Sequence, residues 1–230
     1  MSQVIRLYYF TSAKYALENI QQRRIKLSFS DQVNDLFELR PFDFGEGENG
    51  RELRQIWGKA IQRHAKDQDF VSLARNWEVP TMWAHYSENH KGVCLGFDVP
   101  RAKATKIDYV EHLHPVDRRV LINQVYNSET TEIAKRTKSK HWQYENEWRV
   151  WCSLDNEERQ RKLQNANELF FISFSEHLKL KEVIFGNRCT LTAKGINKEL
   201  KEAESIEFIT ARPSFREFKM VPQRLARLQK

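Results

Sequence analysis

The sequence predicts an α+β fold: a single domain built on a mixed or largely antiparallel sheet with flanking helices. Three observations predict it. Short runs rich in β-branched and aromatic residues recur along the chain without a regular strand–helix alternation. Between them lie stretches whose apolar residues keep helical spacing. Finally, 230 residues with only 8 Gly and 6 Pro, and no repeat or low-complexity segment, suit one packed domain spanning residues 1–230. Hydrophobic residues make up only 40%, but 14 Phe, 7 Tyr and 6 Trp can fill a core.

Ile5 to Phe10 reads as a strand, and Thr11 and Ser12 can cap a helix running to Gln22, with Tyr15, Leu17 and Ile20 on its buried face. Arg24 to Ser30 alternates with period two, as a half-buried strand does. Gly45, Gly47 and Gly50 mark an acidic loop, and Arg51 to Lys66 returns to helical spacing through Leu53, Ile56, Trp57, Ala60 and Ile61. Pro80 opens a short helix carrying Trp83 and Tyr86, Gly92 leads into a strand over Val93 to Phe97, and Ile107 to Val110 is a further strand. Asp117 to Lys140 is polar and reads as helical. Trp148 to Cys152, Leu169 to Ser173, Glu182 to Phe185, Ile206 to Ala211 and Phe218 to Val221 read as strands, with a helix over Thr192 to Ala203.

Charge is uneven. Lys and Arg total 38 against 31 Asp and Glu, a formal +7. Asp31 to Glu52 is acidic, whereas 212–230 forms a basic C-terminal segment and Lys135, Arg136, Lys138 and Lys140 a second basic cluster. These, with Arg224 and Arg227, are the candidate nucleic-acid contacts; a solvated helix face plus a tail is the plainer reading. No apolar run approaches the roughly 18 to 20 residues that cross a bilayer, and the first residues lack a signal-peptide pattern. The expectation is a cytoplasmic protein with no membrane partner. Cys94, Cys152 and Cys189 form no C-x-x-C pair, so no disulfide framework or zinc site is implied, and Cys94, inside an apolar run, reads as core.

Two segments carry candidate chemistry. In Trp142 to Arg149 (WQYENEWR), Glu145, Glu147 and Arg149 fall on one side of an extended chain. They read either as a structural ion pair or as a catalytic set in which Arg149 fixes Glu147 and Glu145 assists, in a cleft walled by Trp142, Tyr144 or Trp148. In Met82 to Asp98, Trp83 and Tyr86 can stack on a planar ring, while His85 and His90 are poorly spaced to share a metal. Asn34 to Glu38 reads as ordinary turn chemistry, and Trp57 and Trp77 as core. P-loop, Rossmann, zinc-protease and nucleophile-elbow motifs are absent from the sequence.

Taken in order, L-Y-x-F-T (Leu7 to Thr11), L-S-F-S-x-x-x-N-D-x-F-E (Leu27 to Glu38), Met82 to Asp98, W-x-x-E-x-E-W-R (Trp142 to Arg149) and V-I-F-G (Val183 to Gly186) resemble a large prokaryotic and phage family of unknown function. Leu36 stands where that family usually has proline. A more distant resemblance is to the ADP-ribosyltransferase superfamily, in its nucleic-acid-modifying toxin branch. It implies an NAD co-substrate with Tyr9 and Thr11 at the nicotinamide-ribose position, Tyr86 at the stacking position and Glu147 as catalytic acid, seconded by Glu145. Trp83 and His85 join the cofactor set. Tyr9 stands where that superfamily has His or Arg, with Arg6 or His85 as substitutes. The setting implies a defence or toxin role, a nucleic-acid or protein acceptor and an antitoxin or immunity partner. Two other classes stand beside it: a non-catalytic nucleic-acid or protein-binding module, and a metal-dependent nuclease using Asp35, Glu38, Glu145, Glu147 and Lys140.

Overall fold

The computed structural model describes residues 3–28, 34–116, 128–153, 155, 158, 161, 165, 169–198, 200 and 205–230. The chain opens with β1 (Val4–Thr11), and the Ser12 hydroxyl then accepts the Tyr15 backbone N–H at 3.1 Å to start α1 (Ala13–Gln22). Ala16, Asn19 and Ile20 form its buried face, and Tyr15, expected there, is exposed. Arg23 ends the helix at φ 53 and leads into β2 (Arg24–Lys26); the end of that expected strand falls outside the described residues. Next come β3 (Phe42–Asp43) and α2 (Gly47–Asp67). Only Gly45 remains in the expected glycine loop: Gly47 and Gly50 are helical, and a Cβ at Gly50 would lie 2.2 Å from the Gly45 carbonyl oxygen.

Strand β4 (Gln68–Ala74) was not foreseen. Both of its faces are covered, so it shows no period-two pattern. Pro80 opens α3 (Pro80–Tyr86), as expected. Then follow β5 (Val93–Pro100), β6 (Thr105–Lys106), β7 (Asp108–Val110) and β8 (His114–Pro115). The helix expected over Asp117 to Lys140 is seen as α4 (Ser128–Arg136), residues 117–127 lying outside the described set. It gives way to β9 (Thr137–Ser139) and a 3₁₀ turn (Lys140–Glu145) before β10 (Glu147–Ser153). The chain continues through β11 (Phe171–Ser173), β12 (Lys179–Phe185), α5 (Ala193–Asn197), β13 (Glu207–Pro213) and β14 (Met220–Pro222).

Eight strands make one sheet in the order β14-β13-β12-β5-β1-β4-β10-β6. Neighbours are antiparallel except β12 and β13. Alternation along β5 sends Val93, Leu95, Phe97 and Val99 into a core shared with Leu7, Ile20 and Phe185. Cys94 points to the opposite face, against Phe10, Trp83 and Ile184. A third cluster under α2 holds Leu39, Phe42 and Trp57, the indole of Trp57 donating to the Leu39 carbonyl at 2.8 Å.

One seam of the sheet is incomplete. β1 pairs with β5 over its whole length, from Val4 opposite Pro100 to Thr11 opposite Val93, but meets β4 at a single position, Tyr8 opposite Ala74. Further along, β4 bonds instead to the chain after β2, Ser28 bridging Phe70. The two central strands therefore part, and the gap between them is a cleft.

Candidate functional site

The cleft encloses about 300 Å³ and reaches from Tyr8, Tyr9 and Phe10 on β1 to Phe70, Ser72, Leu73 and Ala74 on β4. β10, next to β4, contributes Glu147 and Arg149. In the register, Glu147 lies opposite Ala74 and Arg149 opposite Ser72, so two charged side chains enter the sheet where it parts. Glu147 is 2% exposed and Arg149 1%. Burying such charges is tolerable only with full pairing, and the pairing is complete. Arg149 donates Nε to Glu147 Oε1 at 2.8 Å, Nη1 to Glu38 Oε1 at 2.6 Å and to the Lys135 carbonyl at 3.2 Å. Its Nη2 donates to Glu38 Oε2 at 2.8 Å and Glu147 Oε2 at 3.2 Å. All five guanidinium N–H groups are thus engaged, and the group lies 4.4 Å from the centroid of Phe70.

Glu147 also accepts from the Ser72 hydroxyl at 2.7 Å and from Lys138 Nζ at 3.1 Å. Four donors on two carboxylate oxygens leave it no spare lone pair. Its backbone N–H is bonded to the Tyr109 hydroxyl at 2.8 Å. Burial would raise its pKa, but the charges of Arg149 and Lys138 and the hydrogen bonds from Arg149 and Ser72 outweigh it and hold the carboxyl at about 2. Glu38 moves the other way: burial pushes it up, and Arg149 offsets only part of that. Burial likewise opposes the charge of Lys138, but Glu147 and Glu145 overcome it and keep the ammonium bound to its proton.

Lys138 joins the two acids of the Glu-x-Glu, since its Nζ also donates to Glu145 Oε2 at 2.5 Å. Glu145 sits at the end of the 3₁₀ turn, not on the strand. Asn146, at φ 43, turns the chain so that both carboxylates still reach the same lysine. The Tyr86 hydroxyl donates to Glu145 Oε1 at 2.5 Å; burial and then the Glu145 charge push the Tyr86 pKa up. With one donor on each oxygen, Glu145 keeps acceptor capacity that Glu147 lacks.

The segment before Leu39 completes the floor. Asp35 Oδ1 accepts the Phe37 N–H at 2.9 Å, while Asp35 Oδ2 is buried in the cleft wall without a hydrogen-bond partner among the described residues. Asp35, Glu38, Glu145 and Glu147 line the cleft with Lys26, Lys138 and Arg149, so four acids against three cations leave a formal excess of one negative charge. Lys26 lines the same cavity from the exposed side of β2 and is in no ion pair among the described residues. Trp142 stands 5.0 Å from Lys138 Nζ, and a second cavity of about 280 Å³ adjoins, lined by Asn34, His85, Tyr86, His141, Trp142 and Tyr144.

The structure brings together Glu145, Glu147, Arg149 and Tyr86 as the sequence suggested, with Tyr9 on the cleft wall, its hydroxyl pushed up to about 12 by burial. It separates others. Trp83 is fully buried in the α3 core and its indole donates to the Trp77 carbonyl at 2.6 Å, so it is not a stacking platform. Thr11 is buried beyond the cleft lining. Arg6 is tied to Asp98 and Glu182 on the far side of β1 and offers the cleft nothing. His85 lines the outer cavity, its Nδ1 3.2 Å from the Tyr144 hydroxyl. Trp148 is buried beneath Arg101 rather than walling the cleft.

The basic cluster also changes character, because each member has an acidic partner: Lys135 with Glu132, Arg136 with Asp108, Lys138 with Glu145 and Glu147, and Lys140 with Glu111. Lys138 in particular is buried inside the site. These four make no free basic patch, whereas Arg224 and Arg227 are exposed. No sequence motif marked Ser72, Lys138 was read as part of a basic cluster, and Asp35 and Glu38 were read as turn residues and as carboxylates of the nuclease alternative. Among the described residues no group of three or more His, Cys, Asp or Glu is placed to hold a metal ion. Of the acids that a metal-dependent nuclease would need, Glu38, Glu145 and Glu147 are paired with Arg149 or Lys138 and Asp35 is not, and Lys140 lies with Glu111.

Fold and site together define a class: an α+β protein whose sheet parts over an acidic, aromatic-walled cleft. Residues 82–150 match the family described as Protein of unknown function (DUF2971). The matched stretch holds α3, β5 and the Lys138, Glu145, Glu147 and Arg149 set; Asp35 and Glu38 come from outside it. No curated protein and no solved structure matches the chain. Among the described residues no helix is long and apolar enough to cross a membrane.

Proposed function

We propose that the cleft is the active site of an NAD-dependent ADP-ribosyltransferase-like enzyme. The observation that carries this reading is the pair Glu145 and Glu147, bridged by Lys138 at the floor of an aromatic-walled cleft with excess negative charge. A pyridinium glycoside suits such a floor. Its cationic ring can pack against Tyr86 or Trp142, and its ribose hydroxyls meet carboxylates. A cavity of about 300 Å³ takes the nicotinamide-ribose half, leaving the diphosphate towards the rim, where Lys26 is the available cation.

In this mechanism the bond between the nicotinamide nitrogen and ribose C1′ breaks, and its electron pair leaves with neutral nicotinamide. The positive charge that develops on C1′ and the ring oxygen is stabilised by the fixed carboxylates. The acceptor's lone pair then forms the new bond at C1′, and its proton passes to solvent. Glu147, saturated by four donors, acts as the permanently ionised charge. Glu145, with spare acceptor capacity, is the carboxylate that touches ribose. The acceptor, and any antitoxin or immunity partner, belongs to the same proposal.

The test incubates wild type and Glu145→Gln with adenylate-labelled NAD and a lysate, following nicotinamide release and label in DNA, RNA and protein. Release and transfer by wild type, lost in a variant with an unchanged melting curve, is the expected result. A folded wild type that neither releases nicotinamide nor shifts its melting temperature with NAD overturns the reading.

A further inference from the structure

The hairpin joining β13 to β14 carries the most exposed aromatic side chains of the described residues: Phe215 is 91% exposed and Phe218 fully so. The hairpin is nevertheless well fixed. The Ser214 N–H bonds the Lys219 carbonyl at 2.9 Å, and the Ser214 hydroxyl accepts the N–H groups of Arg216 and Glu217 at 3.2 and 3.3 Å. The Met220 N–H bonds the Glu78 carbonyl at 2.8 Å, anchoring the hairpin beside α3. Two phenylalanines held out in water by an ordered turn form a platform rather than a frayed end.

Their surroundings identify the partner. The Arg212 guanidinium lies 4.6 Å from the Phe215 ring centroid and is held by the Pro213 carbonyl at 2.9 Å, which places a cation beside an aromatic ring. Arg216 and Lys219 flank the rings, and Arg224 and Arg227 follow in the tail, which is fastened by the Gln223 N–H on the Thr210 carbonyl at 2.7 Å. Within residues 212–227 five cations accompany one acid, Glu217, and with Glu78 beside Lys219 the surface is still complementary to a polyanion. Glu217 itself pairs with Lys219 at 2.7 Å in the same turn, and immersing that pair in an anionic bilayer would be unfavourable.

We propose that this hairpin and tail bind single-stranded nucleic acid, with Phe215 and Phe218 stacking on bases and the arginines on phosphates. Stacking needs unpaired bases, so a duplex is a poor ligand. The proposal is independent of chemistry in the cleft, and Glu145→Gln leaves it unchanged.

The experiment measures anisotropy of labelled oligothymidylate and oligouridylate of about 20 nucleotides, and of a duplex, with wild type, F215S/F218S and R224E/R227E. Wild type is expected to bind one or both single strands, the stronger arm naming DNA or RNA. F215S/F218S should weaken this about tenfold or more with its melting temperature unchanged, and R224E/R227E should reduce the salt dependence. Equal binding by wild type and F215S/F218S, equal affinity for duplex, or no single-strand binding each overturns the proposal. Phe-dependent pelleting on anionic vesicles without single-strand binding would assign the surface to a membrane instead.

Discussion

β5 and β10 belong to one sheet with two strands between them and bury their first four residues equally, yet one buries Val-Cys-Leu-Gly and the other Glu-Trp-Arg-Val. β5 holds the fold by apolar contact on both faces. β10 does the same with Trp148 and Val150, but its other two positions carry an ion-pair network that a hydrophobic set of similar volume would match in stability. The difference lies where β1 and β4 part. Whether those charges serve a ligand or the fold is what the following variants separate.

The largest effect is expected from Arg149→Met. It leaves Glu38 and Glu147 buried without the guanidinium that bonds both, a loss of about 3–5 kcal/mol out of a typical total of about 5–15. Urea unfolding at neutral pH measures it. A midpoint close to wild type would show that the network is not coupled through Arg149.

Acid comes next. Glu147 is held at about 2 against 4.5 for an ordinary glutamate. A depressed folded pKa gives stability that is full above the unfolded value and is lost as pH falls through the folded one. The window is therefore pH 4.5 down to about 2, and the amount is on the order of 3 kcal/mol. Glu38, whose pKa is raised, acts in the opposite sense: its protonation favours the folded form as pH falls. Its window lies above pH 4.5, so Glu38→Gln should remove a stability gain that builds as pH falls towards 4.5 and leave the loss below pH 4.5 in urea melts to Glu147. If instead it flattens the loss, the assignment of the two carboxyls is inverted.

Glu145→Gln should change stability by only about 1 kcal/mol, because the amide can still accept from Tyr86 and Lys138 retains Glu147. Nicotinamide release, by contrast, should vanish. A variant equally folded and equally active would remove Glu145 from the mechanism.

Much of this was legible in the sequence. Runs rich in β-branched, aromatic and other apolar residues marked β1, β5 and β10, and Pro80 and Ser12 placed two helices, because those signals are local. The alternation in Trp142 to Arg149 pointed to Glu147 and Arg149. What was not legible depends on partners far along the chain. Glu38 meets Arg149 across 111 residues, so Asn34 to Glu38 looked like a turn. Lys138 looked like part of a basic surface until Glu145 and Glu147 closed over it. Trp83 and Tyr86 share a seven-residue helix, and only packing decided that one is core and the other reaches the cleft.

The smallest stability change is expected where most chemistry is removed. Replacing Glu38, Glu147 and Arg149 together by Met makes β10 resemble β5. The substitution removes two buried acids along with the cation that compensates them, so no buried charge of the three is left alone. Lys138 keeps Glu145, and Phe70, which faces the guanidinium at 4.4 Å, gains an apolar neighbour. Such swaps are neutral or stabilising by about 1–4 kcal/mol, so the triple variant should unfold within about 1 kcal/mol of wild type or later. It should also lose the acid sensitivity below pH 4.5, because Glu147 is its source. Binding in the cleft should be lost at the same time. Wild-type stability with lost binding would mean that the charges serve the ligand. A triple variant as unstable as Arg149→Met alone would mean that they serve the fold.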